Sequence, residues 1–344
     1  MTRIETIGLD LGKDIFQIHG VDSAGRVIVR KTLTRAEVTE YFGSIGPCLV
    51  GIEATGTSHH WARTLRKLGH SVRLMPAAYV KPYVKTNKND AKDAEAICEA
   101  VRRPTMRFVA IKTEKQQASL MMHRVREVLV KQRVTLSITL RALLAEFGIV
   151  ARRGSGGLRE TLAFVEAPRL TQIPKPARKT LRCLVDAIRS LIGKIKEREA
   201  DIAAEHDANA SSQLLTTIPY VGRVTAHALV STIGDASQFR SSRELAAWIG
   251  LVPRQHSSGG KQRLGRISKA GDTYLRKLLY FAARRAVHDP KLASHQVFRW
   301  ARSLRKRKKP RVANVALAAK FARIIWAMLR YNRQYAPTPA TAPC

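Results

Sequence analysis

The chain has 344 residues, of which 61 are Lys or Arg and 26 are Asp or Glu, so its formal net charge at pH 7 is +35. Self-repulsion of this size indicates that a polyanion normally supplies the missing negative charge, and nucleic acid is the default partner. The content of 45% hydrophobic and 25% charged residues excludes a disordered basic tail, because it matches a globular chain that can bury a core. At this length two or more domains are expected.

The sequence also bears on location. No uninterrupted apolar run approaches the roughly 18 residues that span a bilayer, and the first residues lack the basic-then-apolar order of a signal peptide. We therefore expect a cytoplasmic, nucleoid-associated protein. The cysteines form no C-x-x-C pair, which argues against a disulfide framework and against a zinc ribbon.

The first hundred residues carry the β signal. Alternating apolar residues over 5–21, a turn and a second run over 26–33 predict a hairpin, followed by a helix over 36–42 and a strand over 48–52. A helix over 59–68 and a strand over 71–75 come next. Strands separated by helical patterns after an antiparallel pair predict an α/β layer with a mixed sheet.

From residue 90 onward the pattern is helical. Helices are predicted over 90–101 and 114–147, with a Gly- and Arg-rich break at 152–157. Apolar residues in steps of four and three over 181–202 form an a/d pattern, in which only Glu199 places a charge in the seam. This pattern fits a coiled hairpin or dimer contact, and it fits equally a bundle packed against its own domain.

A second globular unit is predicted from about residue 211. It begins with helix, tight turn and helix over 214–235 and a short helix over 245–251, followed by a Gly- and Ser-rich loop over 256–265. Helices over 272–287 and 314–331 complete it. From residue 254 to the end, 22 Lys and Arg stand against two acids, whereas the first hundred residues hold 11 of the 26 acids. This partition suggests separate functions for the two halves.

Four acids in the front half form a candidate metal site. Asp10 interrupts an apolar strand between two glycines, and Glu53 ends the next apolar strand, at the sheet edge where ligands usually bind. Asp90 and Asp93 share one face at the start of a helix. An exposed Asp10 and ordinary helix-end acids are the alternatives. Converging carboxylates repel unless they bind a proton or a cation, and oxygen-only ligands favour Mg²⁺ or Mn²⁺ and phosphoryl transfer.

The basic half holds three further constellations. Residues 218–222 (IPYVG) have the form of a helix-hairpin-helix turn, whose backbone N–H groups near Gly222 would face a phosphate, although a plain turn between helices is the alternative. Ser257 and Ser258 lie in a loop among cations, where an activated serine could attack phosphorus. The run over 299–311 is rich in Lys and Arg, which predicts sequence-independent nucleic-acid binding, and a solvated basic helix end is the alternative. The candidate phosphate-binding cations are Arg254, Lys261, Arg263, Arg266, Lys269, Arg305, Lys306, Arg307, Lys308 and Lys309.

In combination these motifs resemble a known family. The order DLGK, IEATGT, NDAKDA, IPYVG, WIGLVPR, SSGG and RISKAG over residues 4–332 is similar to that of the insertion-sequence-110 family of transposases, the DEDD recombinases. The resemblance implies a RuvC-like (RNase H fold) domain over 1–110, whose Asp10, Glu53, Asp90 and Asp93 bind Mg²⁺. It also implies a helical, coiled-coil segment over 111–208 and a mainly helical C-terminal transposase domain over 209–335. We expect residues 336–344 to form a disordered tail.

The resemblance further implies a chemistry and partners. A serine in the second domain, at Ser258 by the spacing of the motif with Ser257 as its neighbour, attacks the DNA backbone and forms a phosphoserine link. The active site is composite, built from two domains of different protomers in a homo-oligomer (dimer to tetramer), and an element-encoded guide RNA pairs with donor and target DNA. Tyr220 departs from the family pattern, because it stands where the hairpin usually has glycine.

Three other functions compete with transposition. The GLDLG segment also resembles the first phosphate loop of actin-like sugar kinases, but the basic helical half offers no second such loop. A RuvC-like structure-selective nuclease would use the same acids with water as the nucleophile. A non-enzymatic basic DNA-binding protein would explain the charge and leave the four acids without a role.

Overall fold

The computed structural model describes residues 3–85, 89–167, 173–257, 259 and 261–336. The chain forms two compact units, Met1–Glu114 and Lys115–Cys344. The first unit is α/β and the second is almost wholly helical, as the sequence predicts. The predicted tail over 336–344 lies outside the described residues except for Ala336.

The first unit is built on a five-stranded mixed sheet. Its strands are β1 (Thr6–Leu11), β2 (Ile15–Val21), β3 (Val27–Thr34), β4 (Leu49–Glu53) and β5 (Ser71–Met75), in the order β3-β2-β1-β4-β5. β1, β2 and β3 pair antiparallel, whereas β1, β4 and β5 pair parallel. The predicted hairpin is therefore a three-strand meander, because residues 12–14 turn the chain within the segment predicted as one β run. This topology is consistent with an RNase H-like fold.

Helices cover both faces of this sheet. Helices α1 (Glu37–Ser44) and α2 (Ser58–Lys67) pack on one face, where Phe42 and Trp61 join Ile7, Leu9 and their neighbours in a buried cluster. The short α3 (Ala77–Val80), a 3-10 turn at Lys81–Tyr83 and α4 (Asp90–Val101) follow β5. α4 lies on the opposite face and contributes Ile97 and Val101 to a second cluster. Residues 7 and 9 thus point to one helical layer, while residues 8 and 10 point to the other.

The second unit contains nine helices and one small hairpin among its described residues. Its elements are α5 (Glu114–Ala145, starting at the boundary), α6 (Gly154–Glu166), α7 (Lys175–Asp207), α8 (Ala210–Leu215), α9 (Arg223–Ile233), α10 (Ser242–Trp248), β6 (Pro253–Gln255), β7 (Leu264–Ile267), α11 (Thr273–His288), α12 (Gln296–Arg307) and α13 (Pro310–Tyr331). Two 3-10 turns lie at Ala236–Gln238 and Pro290–Leu292. The sequence patterns miss α12 and the β6–β7 hairpin, and the predicted break at 152–157 is too long, because α6 begins at Gly154.

The a/d seam of α7 packs within its own unit. Leu181, Val185 and Ile188 are buried against side chains of α5 and α6, among them Leu140 and Leu162. The charge in the seam is also accommodated, because Arg126 of α5 donates from Nε to Glu199 Oε1 over 2.9 Å. These contacts fit the bundle, and they fit equally a coiled hairpin within the chain.

The core of the C-terminal helices is built around α13. By length and composition this helix could cross a membrane, with a mean hydropathy of 1.5, but one such helix is weak support for a membrane protein. Leu317, Phe321 and Ile325 are fully buried and pack with α10, α11 and α12 in one hydrophobic cluster. Its apolar composition is thus explained by packing inside the unit.

Candidate active site and nucleic-acid interface

Three carboxylates converge at the edge of the sheet in the first unit. Asp10 lies near the end of β1, and Asp90 and Asp93 lie in the first turn of α4. One carboxylate oxygen from each of the three residues lies within 4.8 Å of the others. All four predicted acids lie in the part of the chain that the structure describes, and Glu53 does not belong to this group of three. The structure thus brings three of them together.

Two glycines bring α4 close enough for this arrangement. A Cβ on Gly8 of β1 would lie 2.1 Å from the Ala94 carbonyl oxygen and 2.4 Å from the Cys98 nitrogen. A Cβ on Gly51, the register partner of Gly8 in β4, would lie 2.7 Å from Val101 Cβ. Only a glycine pair lets the helix rest directly on the strand backbones. Of the two glycines that flank Asp10 in the sequence, Gly8 admits α4, whereas a Cβ on Gly12 would lie 2.1 Å from the Ile15 carbonyl oxygen.

Helix capping does not explain the two acids of α4. The N-cap is Asn89, whose side-chain oxygen accepts a hydrogen bond from the Ala91 N–H over 3.0 Å. Asp90 and Asp93 are therefore not the capping side chains, although their charge interacts favourably with the helix dipole. The capping alternative left open by the sequence loses its support.

The electrostatics of Asp10 reflect burial and crowding. Its pKa is raised from 3.8 to about 6, first by desolvation and then by Asp93, Asp90 and Glu53 in decreasing order. A backbone hydrogen bond from Leu11 opposes this shift. Glu53 therefore contributes to the negative potential at Asp10, although its oxygens stand apart from the three that converge. A cation is the natural means of relieving such repulsion near neutral pH.

The donor set fits a hard divalent cation. All three converging groups offer oxygen, the ligand type that Mg²⁺ and Mn²⁺ prefer over the nitrogen and sulfur typical of zinc sites. Opposite oxygens around Mg²⁺ stand about 4.2 Å apart, so a spacing within 4.8 Å requires only a small contraction. Asp10, Asp90 and Asp93 are the residues that could hold such an ion.

The predicted helix-hairpin-helix turn joins α8 to α9. The Val221 N–H donates to the Ile218 carbonyl over 3.0 Å, and exposed Gly222 is the N-cap of α9. Tyr220 takes the left-handed conformation with φ +67°, which favours glycine. Its hydroxyl donates to Asp289 Oδ2 over 2.9 Å, which helps to hold this conformation. The turn therefore keeps its backbone shape without the usual glycine.

The serine loop sits on the β6–β7 hairpin. Ser257 is exposed, and its Oγ accepts hydrogen bonds from Gln255 Nε2 over 3.0 Å and from the Arg263 N–H over 3.2 Å. Ser258, the predicted nucleophile, lies outside the described residues. The five cations predicted around it, which are Arg254, Lys261, Arg263, Arg266 and Lys269, are all exposed.

Arg276 of α11 anchors the base of this hairpin, and the sequence analysis missed it. Its Nη1 donates to the carbonyls of Ile249, Ala270 and Gly271 over 2.9, 2.8 and 3.0 Å. A Cβ on Gly250 would lie 1.9 Å from the Ala270 oxygen, so the two segments flanking the hairpin touch through their backbones. The glycines of WIGLVPR and RISKAG were the available signal, since both Gly250 and Gly271 have positive φ.

The predicted cations of the basic run at the end of α12 differ in their exposure to solvent. Arg305 is half-buried, with Nη1 3.1 Å from His288 Nδ1. Lys306, Arg307, Lys308 and Lys309 are exposed, so four of the five predicted cations face solvent. Lys308 and Lys309 link α12 to α13. Residues 306–309 are therefore accessible to a polyanion, whereas Arg305 contacts His288.

The fold and the acid cluster define the class of a nucleic-acid-processing enzyme, and comparison with known proteins specifies it. Residues 7–149 match a family model described as a transposase, of the DEDD IS110 type, and residues 212–296 match the Transposase IS116/IS110/IS902 family.

Curated relatives cover nearly the whole chain. A probable family 20 transposase from Pseudomonas aeruginosa is 48% identical over 97% of this chain and 99% of its own length. The IS1328 transposase of Yersinia enterocolitica is 40% identical over 95% of this chain and 97% of its own. The IS1111A transposase of Coxiella burnetii is 39% identical over 97% and 92%. The chain belongs to the IS110/IS116/IS902 family of insertion-sequence transposases, and it is a DNA-transposing enzyme.

Proposed function

We propose that this transposase cuts and rejoins DNA strands at a Mg²⁺- or Mn²⁺-dependent site formed by Asp10, Asp90 and Asp93 with Glu53 beside them. The convergence of three carboxylate oxygens within 4.8 Å is the observation that carries this proposal. When bound, the metal would polarise the scissile phosphate and offset its developing charge. The protein would act in the cytoplasm on chromosomal DNA.

Ser258 is the proposed nucleophile. Its Oγ would form a bond to phosphorus while the bond from phosphorus to the adjacent nucleotide oxygen breaks, and the departing strand would leave with a hydroxyl that takes up a proton. Attack by a hydroxyl of another strand would reverse the step and rejoin DNA without an external energy source. The two hydrogen bonds that Ser257 accepts support Ser258, because they give Ser257 a role in the loop fold. Arg254, Lys261, Arg263, Arg266 and Lys269 would bind the phosphates around it.

The partners follow from the charge and from the family resemblance. Donor and target DNA are the substrates, bound by the hairpin turn at Gly222, by half-buried Arg305 and by the exposed cations of residues 306–309. An element-encoded non-coding RNA would guide target choice, and the enzyme would work as a homo-oligomer. A net charge of +35 is suited to holding several nucleic-acid strands together.

Matched substitutions test the two chemical roles. Asp10→Asn and Ser258→Ala should each abolish strand exchange on a paired donor and target substrate while DNA binding is retained. Asp14→Asn, four residues from Asp10, is the control for the carboxylate, and Ser257→Ala, at the adjacent residue, separates the two serines of the loop. Normal recombination by Ser258→Ala would refute the nucleophile.

A second experiment separates transposition from a RuvC-like nuclease. Denaturing the enzyme during turnover should trap a protein–DNA adduct whose modified peptide carries a phosphodiester on Ser258. Cleavage without any adduct would favour water as the nucleophile. Sequencing the nucleic acid that copurifies with the protein tests the guide independently, because a single discrete RNA is expected.

A further inference from the structure

Trp300 is placed differently from the other tryptophans. Trp61 belongs to the core of the first unit, and Trp248 and Trp326 pack against the core of the second. Trp300 lies on α12 with 40% of its surface exposed, next to Ala301 and two residues from Phe298, which are both fully buried. No aromatic ring among the described residues stacks on it. An exposed indole on a well-anchored helix is available to a ligand.

The surroundings of Trp300 select the chemistry of that ligand. Residues 290–344 contain 13 Lys and Arg and no Asp or Glu. Ser303 and Arg307 lie three and seven residues after Trp300, so all three share one helix face, and all three are exposed. Lys306 and Lys308, at the C-terminal end of α12, are also exposed. A flat aromatic ring bordered by cations fits a base and its neighbouring phosphates.

The helix that presents Trp300 is fixed in place. Arg302 donates from Nε to the Val287 carbonyl over 3.1 Å and also bonds the Asp289 carbonyl, which ties α12 to the end of α11. Phe298 packs edge-to-face on Phe321 of α13 with 6.1 Å between ring centroids. The indole is therefore held on a rigid element, which reduces the ordering cost of binding.

We propose that Trp300 is a stacking platform for an unpaired base, and that Arg307, Lys306 and Lys308 bind phosphates of the same strand toward the C-terminal end of α12. Bases in a duplex are stacked on each other and hide their faces, so this surface binds single-stranded nucleic acid in preference to duplex. The inference rests on the proposed function only in that the enzyme meets unpaired strands, either DNA opened during exchange or loops of an RNA.

The test measures affinity for a short unstructured strand and for a duplex of the same sequence. With the full-length protein, fluorescence anisotropy should show that Trp300→Ala weakens single-strand binding about ten-fold while duplex binding changes less than two-fold. Trp300→Phe should restore most of the affinity, because its ring still stacks. Phe281→Ala is the matched control, since Phe281 is 49% exposed on the neighbouring α11.

Two further readouts make the result decisive. Single-strand binding should quench the indole emission of the wild type and much less that of Trp300→Phe. Arg307→Ala should lower the salt dependence of single-strand affinity by about one released cation, whereas Trp300→Ala should leave it unchanged. Parallel DNA and RNA strands identify the source of the unpaired base.

Equal loss of duplex and single-strand affinity in Trp300→Ala, or no loss of either, overturns the proposal. Thermal unfolding of each variant checks that the fold is retained. Asp10→Asn should keep the strand preference, so failure of the metal site and failure of this surface are distinguishable.

Discussion

The raised pKa of Asp10 predicts that, without a bound metal, ionisation of Asp10 lowers the stability of the protein at neutral pH. Asp10 is half-buried, and its pKa rises from 3.8 to about 6, so the folded state holds its proton more tightly than the unfolded chain does. Ionising it in the folded state then costs about 3 kcal/mol above pH 6, at about 1.4 kcal/mol per pH unit. The cost is absent below pH 4 and grows between the two pKa values. Asp10→Asn, which keeps an acceptor for the Leu11 N–H, should remove most of this cost.

The assay is thermal unfolding in EDTA at pH 7.5 and pH 4.5. Asp10→Asn should stabilise the protein by about 2–3 kcal/mol at pH 7.5 and by about 1 kcal/mol at pH 4.5, where wild-type Asp10 remains protonated. Addition of Mg²⁺ should stabilise the wild type and reduce the difference, because a ligand that binds only the folded state raises its stability. Asp14→Asn should change nothing under any of these conditions. An equal effect of Asp10→Asn at both pH values would refute the electrostatic argument.

Three more predictions follow from packing, anchoring and burial. Gly8→Ala places a Cβ 2.1 Å from a backbone oxygen of α4, so it should destabilise the first unit by about 3 kcal/mol in urea unfolding. Gly43→Ala is the control, because a Cβ on Gly43 of α1 meets open space, and it should be neutral or stabilising. Arg276→Ala removes the hydrogen bonds to three carbonyls, so it should lower the free energy of unfolding by about 2 kcal/mol and increase protease cleavage within residues 253–267. Arg276→Lys should have an intermediate effect. Unchanged cleavage would contradict the anchoring role. His123 is 2% exposed, and its Nε2 lies 2.9 Å from His227 Nδ1. Burial lowers the pKa of His123 to about 3, so the folded state favours the neutral imidazole. The stability that this provides is complete above pH 6.5 and is lost as the pH falls toward 3. Between pH 7.5 and pH 5.0 in urea unfolding, the wild type should lose about 2 kcal/mol more stability than His123→Asn does, because the comparison isolates His123 from other titrating groups such as Asp10.

The first unit was largely predictable because local and tertiary signals agree in it. The strand over 71–75 and the helix over 90–101 match β5 and α4 at both ends. Asp10 stood out because a charge in an apolar strand is costly without a partner, and the spacing of Asp90 and Asp93 placed both on one helix face. The close packing that joins them depends on Gly8 and Gly51, 43 residues apart in the sequence, and no local pattern pairs them.

The second unit was harder to predict for two physical reasons. β6 and β7 are three and four residues long and mostly exposed, so they lack the alternation of a half-buried strand. The segments that flank the hairpin are held by Arg276, which donates to three carbonyls brought together only in the fold. α12 buries only Phe298 and Ala301 among many cations, and the basic composition concealed its narrow apolar face.

The acid cluster is governed by charges close to it, whereas the basic run acts through many exposed charges. A net charge of +35 should lower the pKa of every carboxylate, yet the pKa of Asp10 is raised. Screening resolves the conflict, because salt reduces the effect of cations more than about 10 Å away, whereas desolvation and the carboxylates within a few ångströms act unscreened. The proposed nucleic-acid binding through residues 306–309 would depend on exposed cations and should therefore weaken steeply with salt. The raised pKa of Asp10 depends on groups close to it, so we expect salt to release the protein from DNA without abolishing the proposed binding of a divalent cation.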